Sequence, residues 1–373
     1  MNIYYYSLLV LFIGIVIVTP LTIEKNLLKY SFPLFYFVIF LTTILRPYIP
    51  EGIDNSTFIE FLTNNDDLGN DRFKMSLFSF LTILIPGSWE KIYAINILSS
   101  SILILFFRKI FKDLKRKITS KYLILLYLIY ILSIVPPLIL VHLKQYLSLG
   151  FSSILIYLYS INDKRVLKYE IVVSILIILS HIVYFPFILN YFLIKYFSNK
   201  ILNIWIRSSL ISRIFYLFIT CFYIIFSFIS IDTIYKSVSL IIPGYYTYGI
   251  QEIIGSESQK IISCLYPFIL IIPIILFRFL GRDITKKGEK HFSITLFLYL
   301  MVCIPISIVE FKLPLLYAIG RIKTGIYPLV FILLYDLKEV KISKKNVFPI
   351  IFLSYIICAH ALYRTNQYLI PNL

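Results

Sequence analysis

Arg46-Pro47-Tyr48-Ile49-Pro50-Glu51-Gly52-Ile53-Asp54 places one cation and two carboxylates directly after a long apolar run. A guanidinium there can face a phosphate through paired hydrogen bonds. A carboxylate a few residues further on can take a proton from a hydroxyl, as a general base does. The plainer alternative is an interfacial anchor followed by a solvated turn. A second polar group follows tandem prolines in Pro136-Pro137-Leu138-Ile139-Leu140-Val141-His142-Leu143-Lys144-Gln145-Tyr146. Prolines disturb helical hydrogen bonding, and His142, Lys144 and Gln145 come before the next apolar run. His181, Glu310, Lys312, Arg321 and Lys323 complete the set. Ionisable groups at or inside apolar spans are costly unless paired or facing water, which makes each of them a candidate.

Arg46, Lys144, Arg321 and Lys323 stand at the ends of separate apolar runs. They suit an anionic headgroup, or else they are scattered snorkelling anchors. Tyr245, Tyr246 and Tyr248 fall within four positions of Ile242-Pro243-Gly244-Tyr245-Tyr246-Thr247-Tyr248. Rings with an apolar face and a polar hydroxyl suit a sugar, and an interfacial aromatic belt accounts for them equally well.

The elements that position these residues are apolar throughout. Of 373 residues, 59% are hydrophobic and 15% charged. A bilayer core about 30 Å thick takes a helix of about 20 apolar residues. The runs predict an all-α polytopic transmembrane bundle of about twelve spans, over 3–23, 28–45, 92–107, 122–141, 146–161, 169–185, 186–199, 214–231, 261–280, 292–310, 315–335 and 347–363, with Pro186 dividing the sixth from the seventh. Residues 1–373 form one transmembrane domain, with outer loops at 46–91 and 232–260 and a short re-entrant or interfacial helix at 75–85 closed by Pro86-Gly87.

Charge sets the orientation. The gaps 24–29, 108–121, 162–170, 195–213, 278–290 and 336–345 hold 25 of the 36 Lys and Arg but only 8 of the 19 acids. An excess of Lys and Arg marks the cytoplasmic side, so both termini and the two long loops are expected outside. The formal net charge of +17 is then a topological signal plus attraction to anionic inner-leaflet lipid, and calls for no nucleic-acid partner. The first run is too long, and lacks the basic lead, for a cleaved signal peptide. Cys221, Cys264, Cys303 and Cys358 lie singly within spans with no CxxC spacing, and read as packing residues. No metal-ligand cluster and no phosphate-loop motif is present, so neither metal, nucleotide nor other cofactor is expected.

The segment Arg46…Gly52-x-Asp54-x-x-x-Phe58 resembles the R-x-G-x-D-x-x-x-[YF] region of EpsG-like and Wzy-type polysaccharide polymerases. Lys144-Gln145-Tyr146-Leu147-Ser148 resembles their [RK]-Q-x-[IL]-[AS] span start, His181 falls where they often have a histidine, and Gly320-Arg321-Ile322 with Tyr327 resembles their late R-I-x-x-Y element. Lys144 replaces the more usual Arg, and Ser148 the more usual Ala. The resemblance implies a glycosyltransferase of the bacterial inner membrane. It would move a growing glycan from undecaprenyl diphosphate onto a lipid-linked repeat unit at the outer face. Its partners would be membrane lipid, a flippase and a chain-length regulator. Arg46, Lys144 and Arg321 would hold the diphosphate, joined in the substrate site by Gln145, Lys323, Tyr245, Tyr246 and Tyr248. Asp54 would be the base, with His142 and His181 as competitors. Two other classes remain. A lipid-linked oligosaccharide flippase needs polar groups lining a path through both leaflets, and a membrane O-acyltransferase needs a histidine-centred site.

The orientation is testable with single cysteines in a cysteine-free chain. Asn65→Cys and Ser256→Cys are expected to react with an impermeant thiol reagent on intact spheroplasts, and Ser120→Cys is not. Labelling confined to residue 120 would reverse the orientation.

Overall fold

The computed structural model describes Phe37 and residues 88–117, 121–141, 143–161, 163–198, 257–282, 284–312 and 323–369. The expected spans 3–23 and 214–231, nearly all of 28–45, the loop residues 46–87 with the 75–85 segment, and 232–256 lie outside them. The described residues are helical apart from short connections and one isolated antiparallel bridge between Arg282 and Lys341. We number the helices α1 Ser88–Lys117, α2 Lys121–Val141, α3 Leu143–Ile161, α4 Leu167–Ser180, α5 Phe185–Phe192, α6 Glu257–Leu280, α7 Lys286–Lys312, α8 Pro328–Asp336 and α9 Lys344–Leu369. Among the described residues two stretches, Tyr93–Leu114 in α1 and Gly288–Ser307 in α7, are long and apolar enough to cross a membrane.

Helix α1 runs ten residues past the expected end of its span, through the basic stretch 108–117. Phe107, Ile110, Phe111 and Leu114 are buried while Arg108, Lys109 and Lys112 are exposed. That is the i, i+3, i+4, i+7 stripe of an amphipathic helix, so the charges ride on the outer face of a helix rather than in a loop. The expected outer loops are shorter at their C-terminal ends, since residues 88–91 and 257–260 already belong to α1 and α6.

The division between the sixth and seventh spans also moves. The break comes at His181, in extended conformation, and Pro186 lies in the first turn of α5 instead of between two helices. A proline there removes only an N–H that has no helical partner. Helix α5 passes into a π-helical turn, Leu193–Phe197. Residue 170 at the start of α4 meets residues 191, 195 and 196, so α4 and α5 form an antiparallel hairpin with its tip at 181–184.

Helix α8 is the hub. All nine of its residues are buried, as an apolar helix with no polar face requires. Tyr127 of α2 donates to the Phe331 carbonyl at 2.5 Å, Tyr130 to the Leu270 carbonyl, and Tyr299 of α7 to the Pro267 carbonyl at 2.9 Å. Buried tyrosines thus tie neighbouring helices together through hydroxyls that need a partner. Rings of Phe107, Phe111, Tyr127 and Phe331 pack between α1, α2 and α8 with centroids 5.1–6.2 Å apart.

Hydrogen bonds sort the helix ends. Asp113 and Ser160 meet Tyr335, Lys195 meets Leu158 and Glu170, Arg278 meets Glu289, and Arg282 pairs with Lys341. Five of the six Lys/Arg-rich gaps therefore meet at one end of the bundle, called the basic end below. Gly281 allows the Arg282–Lys341 pairing, since a Cβ there would lie 2.1 Å from the Val340 side chain.

Helices α1 and α3 approach closely at Gly150, where a Cβ would stand 3.1 Å from the Ser99 carbonyl oxygen and 3.3 Å from its Cα. Gly150→Leu must push two backbones apart. Overpacking of this kind costs about 1–3 kcal/mol, more than the roughly 1 kcal/mol that a better helix former returns. The variant is expected to melt below the parent in detergent, and an unchanged midpoint would show that the α1–α3 contact yields freely.

Candidate functional site

The end opposite the basic one brings three separated segments together. Gln145, in the first turn of α3, is buried with 2% of its surface exposed. Its Oε1 accepts a hydrogen bond from Thr324 Oγ1 at 2.9 Å, and its carbonyl accepts one from Tyr184 Oη at 2.9 Å. Thr324 belongs to a helical turn, 323–326, that leads into α8, and Tyr184 ends the hairpin tip. Gly325 completes the junction, because a Cβ there would fall 2.2 Å from the Val183 carbonyl oxygen. Only glycine lets the turn rest on the backbone of the tip.

His181 holds the tip in shape. Its N–H donates to the Ile177 carbonyl at 2.9 Å, its carbonyl accepts from Tyr184 N at 3.2 Å, and its Nδ1 accepts from Val183 N at 3.3 Å. The ring is half-buried. Lys323, 3% exposed, precedes Thr324 in the chain, and its charge reaches the thiols of Cys264 and Cys303. Ser100 and Tyr146 share a hydrogen bond of 2.7 Å on the α1 side. One turn along the same face of α1, Asn96 is fully buried with neither amide atom hydrogen-bonded.

Among the residues singled out in the sequence, Gln145, His181 and Lys323 thus fall in one neighbourhood, and Lys144 lies in the first turn of α3. Arg46, Asp54, His142, Arg321, Tyr245, Tyr246 and Tyr248 lie outside the described residues. Thr324, Tyr184 and Gly325 had no sequence signal beyond their nearness to Lys323 and His181.

A second polar group sits at the basic end. Glu170 is fully buried, and its carboxylate accepts hydrogen bonds from Tyr191 at 2.5 Å, from Tyr196 and from Lys195. The Lys195 side chain, itself 3% exposed, also donates to the Leu158 carbonyl at 2.8 Å. The i→i+5 winding of a π turn explains how Tyr191 and Tyr196, five apart, reach one carboxylate. Nearby, Asp336 accepts from Tyr159 at 2.8 Å and from Thr295 at 3.1 Å. Tyr335 donates to Asp113 at 2.8 Å. These groups pin α1, α3, α4, α5, α7 and α8 together. Among the described residues, no group of three or more His, Cys, Asp or Glu is placed to hold a metal ion.

No protein-family model, no curated protein and no solved structure matches the chain.

The Glu170–Lys195 pair makes a sharp test. Breaking a buried pair from one side leaves an uncompensated charge and costs about 3–5 kcal/mol, whereas replacing both partners is often near neutral. Lys195→Met alone is expected to lower the melting temperature in detergent strongly, and Glu170→Leu with Lys195→Met to recover most of the loss. Equal melting of the single and double variants would remove the pair from the forces that hold the hairpin.

Proposed function

We propose that the chain is a polytopic polysaccharide polymerase of the bacterial inner membrane, with about twelve spans and its termini outside. It transfers a growing glycan from undecaprenyl diphosphate onto a lipid-linked repeat unit. The observation that carries this reading is the Gln145–Thr324 hydrogen bond, with the His181–Tyr184 tip on the same residue. Gln145, the tip that begins at His181, and Thr324, each in or beside a segment that resembles polymerases, adjoin one another at the end of the bundle away from the basic gaps. Lys144 precedes Gln145, and Arg321 stands three positions before Thr324.

The chemistry needs little else. Undecaprenyl diphosphate is a good leaving group, and Arg46, Lys144 and Arg321 stabilise the charge that develops on it. Asp54 takes the proton of the attacking hydroxyl, with His142 and His181 as the other bases in reach of this reading.

A lipid-linked oligosaccharide flippase is the second reading, favoured by the buried Glu170, Lys195 and Asp336. They put polar groups at the basic end as well, as a path through both leaflets requires.

Surface glycan from a strain carrying altered chains separates the two. Arg46→Ala is expected to leave single-repeat glycan at the surface, with protein abundance near the parent's. Asp54→Asn is expected to bind lipid-linked repeats yet turn them over at least about a hundredfold more slowly, the loss a general base explains. Precursor accumulating on the inner leaflet would establish the flippase instead. Long-chain glycan from both variants would overturn the polymerase site.

A further inference from the structure

Glu170 and Asp336 are both buried at the basic end, yet they are held in different ways. The groups bonded to Glu170 all give protons, since Tyr191, Tyr196 and the Lys195 ammonium donate to its oxygens. That is the setting of an ionised carboxylate beside its counter-charge. Among the described residues the ion pairs do not include Asp336. Its partners are two neutral hydroxyls, Tyr159 Oη at 2.8 Å from Oδ1 and Thr295 Oγ1 at 3.1 Å from Oδ2.

A count of protons separates the two acids further. Thr295 Oγ1 also lies 2.9 Å from the His291 carbonyl oxygen, which can only accept, and a hydroxyl has a single proton to give. With Asp336 ionised, that proton must be shared between the carbonyl and Oδ2. With Asp336 protonated, every contact has a proton of its own. Thr295 donates to His291, the Oδ2 hydroxyl donates to Thr295 Oγ1, and Tyr159 donates to Oδ1. The same groups complete the neutral acid and leave the ionised one short of a donor and of a counter-charge. Burial acts in the same direction and pushes the Asp336 carboxyl up to about 7, against the pull of Tyr159, Lys338 and Thr295.

The charged and titratable groups around it have other engagements. After α8, the Lys338 ammonium lies 4.1 Å from the Tyr335 ring centroid, with Glu339 next in the chain, and Tyr335 donates to Asp113 of α1. On α3 the Tyr159 ring meets those of Tyr335 and of Tyr191 on α5, behind which stand Glu170 and Lys195. On α7 the groups are Glu289, paired with Arg278 of α6, then Lys290 and His291. Tyr127 stands on α2. Histidine is the side chain that ordinarily changes charge near neutral pH, so His291 is the rival source of any pH response at this end.

We propose that Asp336 is a proton switch: as a neutral acid it fastens α8 to α3 and α7, and the fastening weakens when it gives its proton up to water. Helix α8 follows the turn in which Thr324 meets Gln145, so the switch acts on the element from which the candidate site extends. The transfer reaction uses none of these residues.

The test is melting of the full chain in detergent against pH. A carboxyl whose folded pKa is raised contributes stability that is complete below its ordinary pKa and is lost as pH rises through the folded value. The window runs from 3.8 to about 7. Asparagine copies the neutral acid, since its Nδ2 can donate to Thr295 while its Oδ1 accepts from Tyr159. Asp336→Asn is expected to melt close to the parent at about pH 4 and above it at about pH 8, the gap widening through that window. A gap that does not widen, or a variant that melts below the parent at the higher pH, overturns the proposal. A response that belongs to His291 would persist unchanged in Asp336→Asn and leave no widening gap. Infrared spectra give a second readout. The parent is expected to show the carbonyl band of a protonated acid at about pH 6, where ordinary carboxyls are ionised, and Asp336→Asn to lack it. Should Asp336→Asn fail to fold, Thr295→Val decides: loss of the acceptor is expected to shift that band, and an unmoved band overturns the proposal. No glycan enters either readout, so failure here and failure of the polymerase reading are told apart.

Discussion

A helix whose nine residues are all buried must have its polar groups answered by protein, and this constraint organises the rest of the bundle. Helix α8 with its leading turn runs through the centre, and none of its nine residues reaches the surface. Polar groups at the ends of such a helix must be answered by protein, because an unmet buried polar group costs about as much as several good contacts return. Thr324 finds Gln145 at one end, while Asp336 finds Tyr159 and Thr295 at the other. Helices α3 and α7 are placed by these demands as much as by apolar packing. The candidate site is thus an extension of the core, built from the groups that terminate its central helix.

The two ends treat charge differently. At the basic end, Glu170 and Lys195 are enclosed and answered by each other, by tyrosines and by a backbone carbonyl. Such a set is settled before any ligand arrives. At the opposite end, single hydrogen bonds join Gln145 to Thr324 and to Tyr184, and the buried Asn96 amide of α1 has no partner. Complete satisfaction rigidifies a buried network, whereas open hydrogen-bonding capacity leaves room for recognition. This contrast gives the basic end the character of a fastening and the opposite end that of a site.

Helices such as α2 and α3 were legible in the sequence because their apolar runs have few interruptions, and their boundaries move by three residues or fewer. Helix α1 was half legible. Counting Arg108 to Lys117 as a gap hid the stripe Phe107, Ile110, Phe111 and Leu114, which the helical period carries through the charges. Pro186 misled because a proline marks either a break or the first turn after one. Gln145, His181 and Lys323 could be picked out as polar groups in apolar surroundings. Their partners could not, since the Gln145–Thr324 bond spans 179 positions and Tyr184 is one of 31 tyrosines. Glu170 and Lys195 were read as charges in solvated gaps. Their burial depends on a hairpin and a π turn that composition does not reveal.

The α4–α5 hairpin bears on how such a chain can be built into a bilayer during synthesis. An unpaired charge resists entering hydrocarbon. Glu170 and Lys195 are only 25 residues apart and belong to the same hairpin, so they can neutralise each other before any later helix exists. Asp336 follows the complementary rule. Its acceptors are met by Tyr159 and Thr295, both translated earlier, so its berth is complete when it leaves the ribosome. Either way, the order of residues along the chain gives Glu170 and Asp336 their partners early.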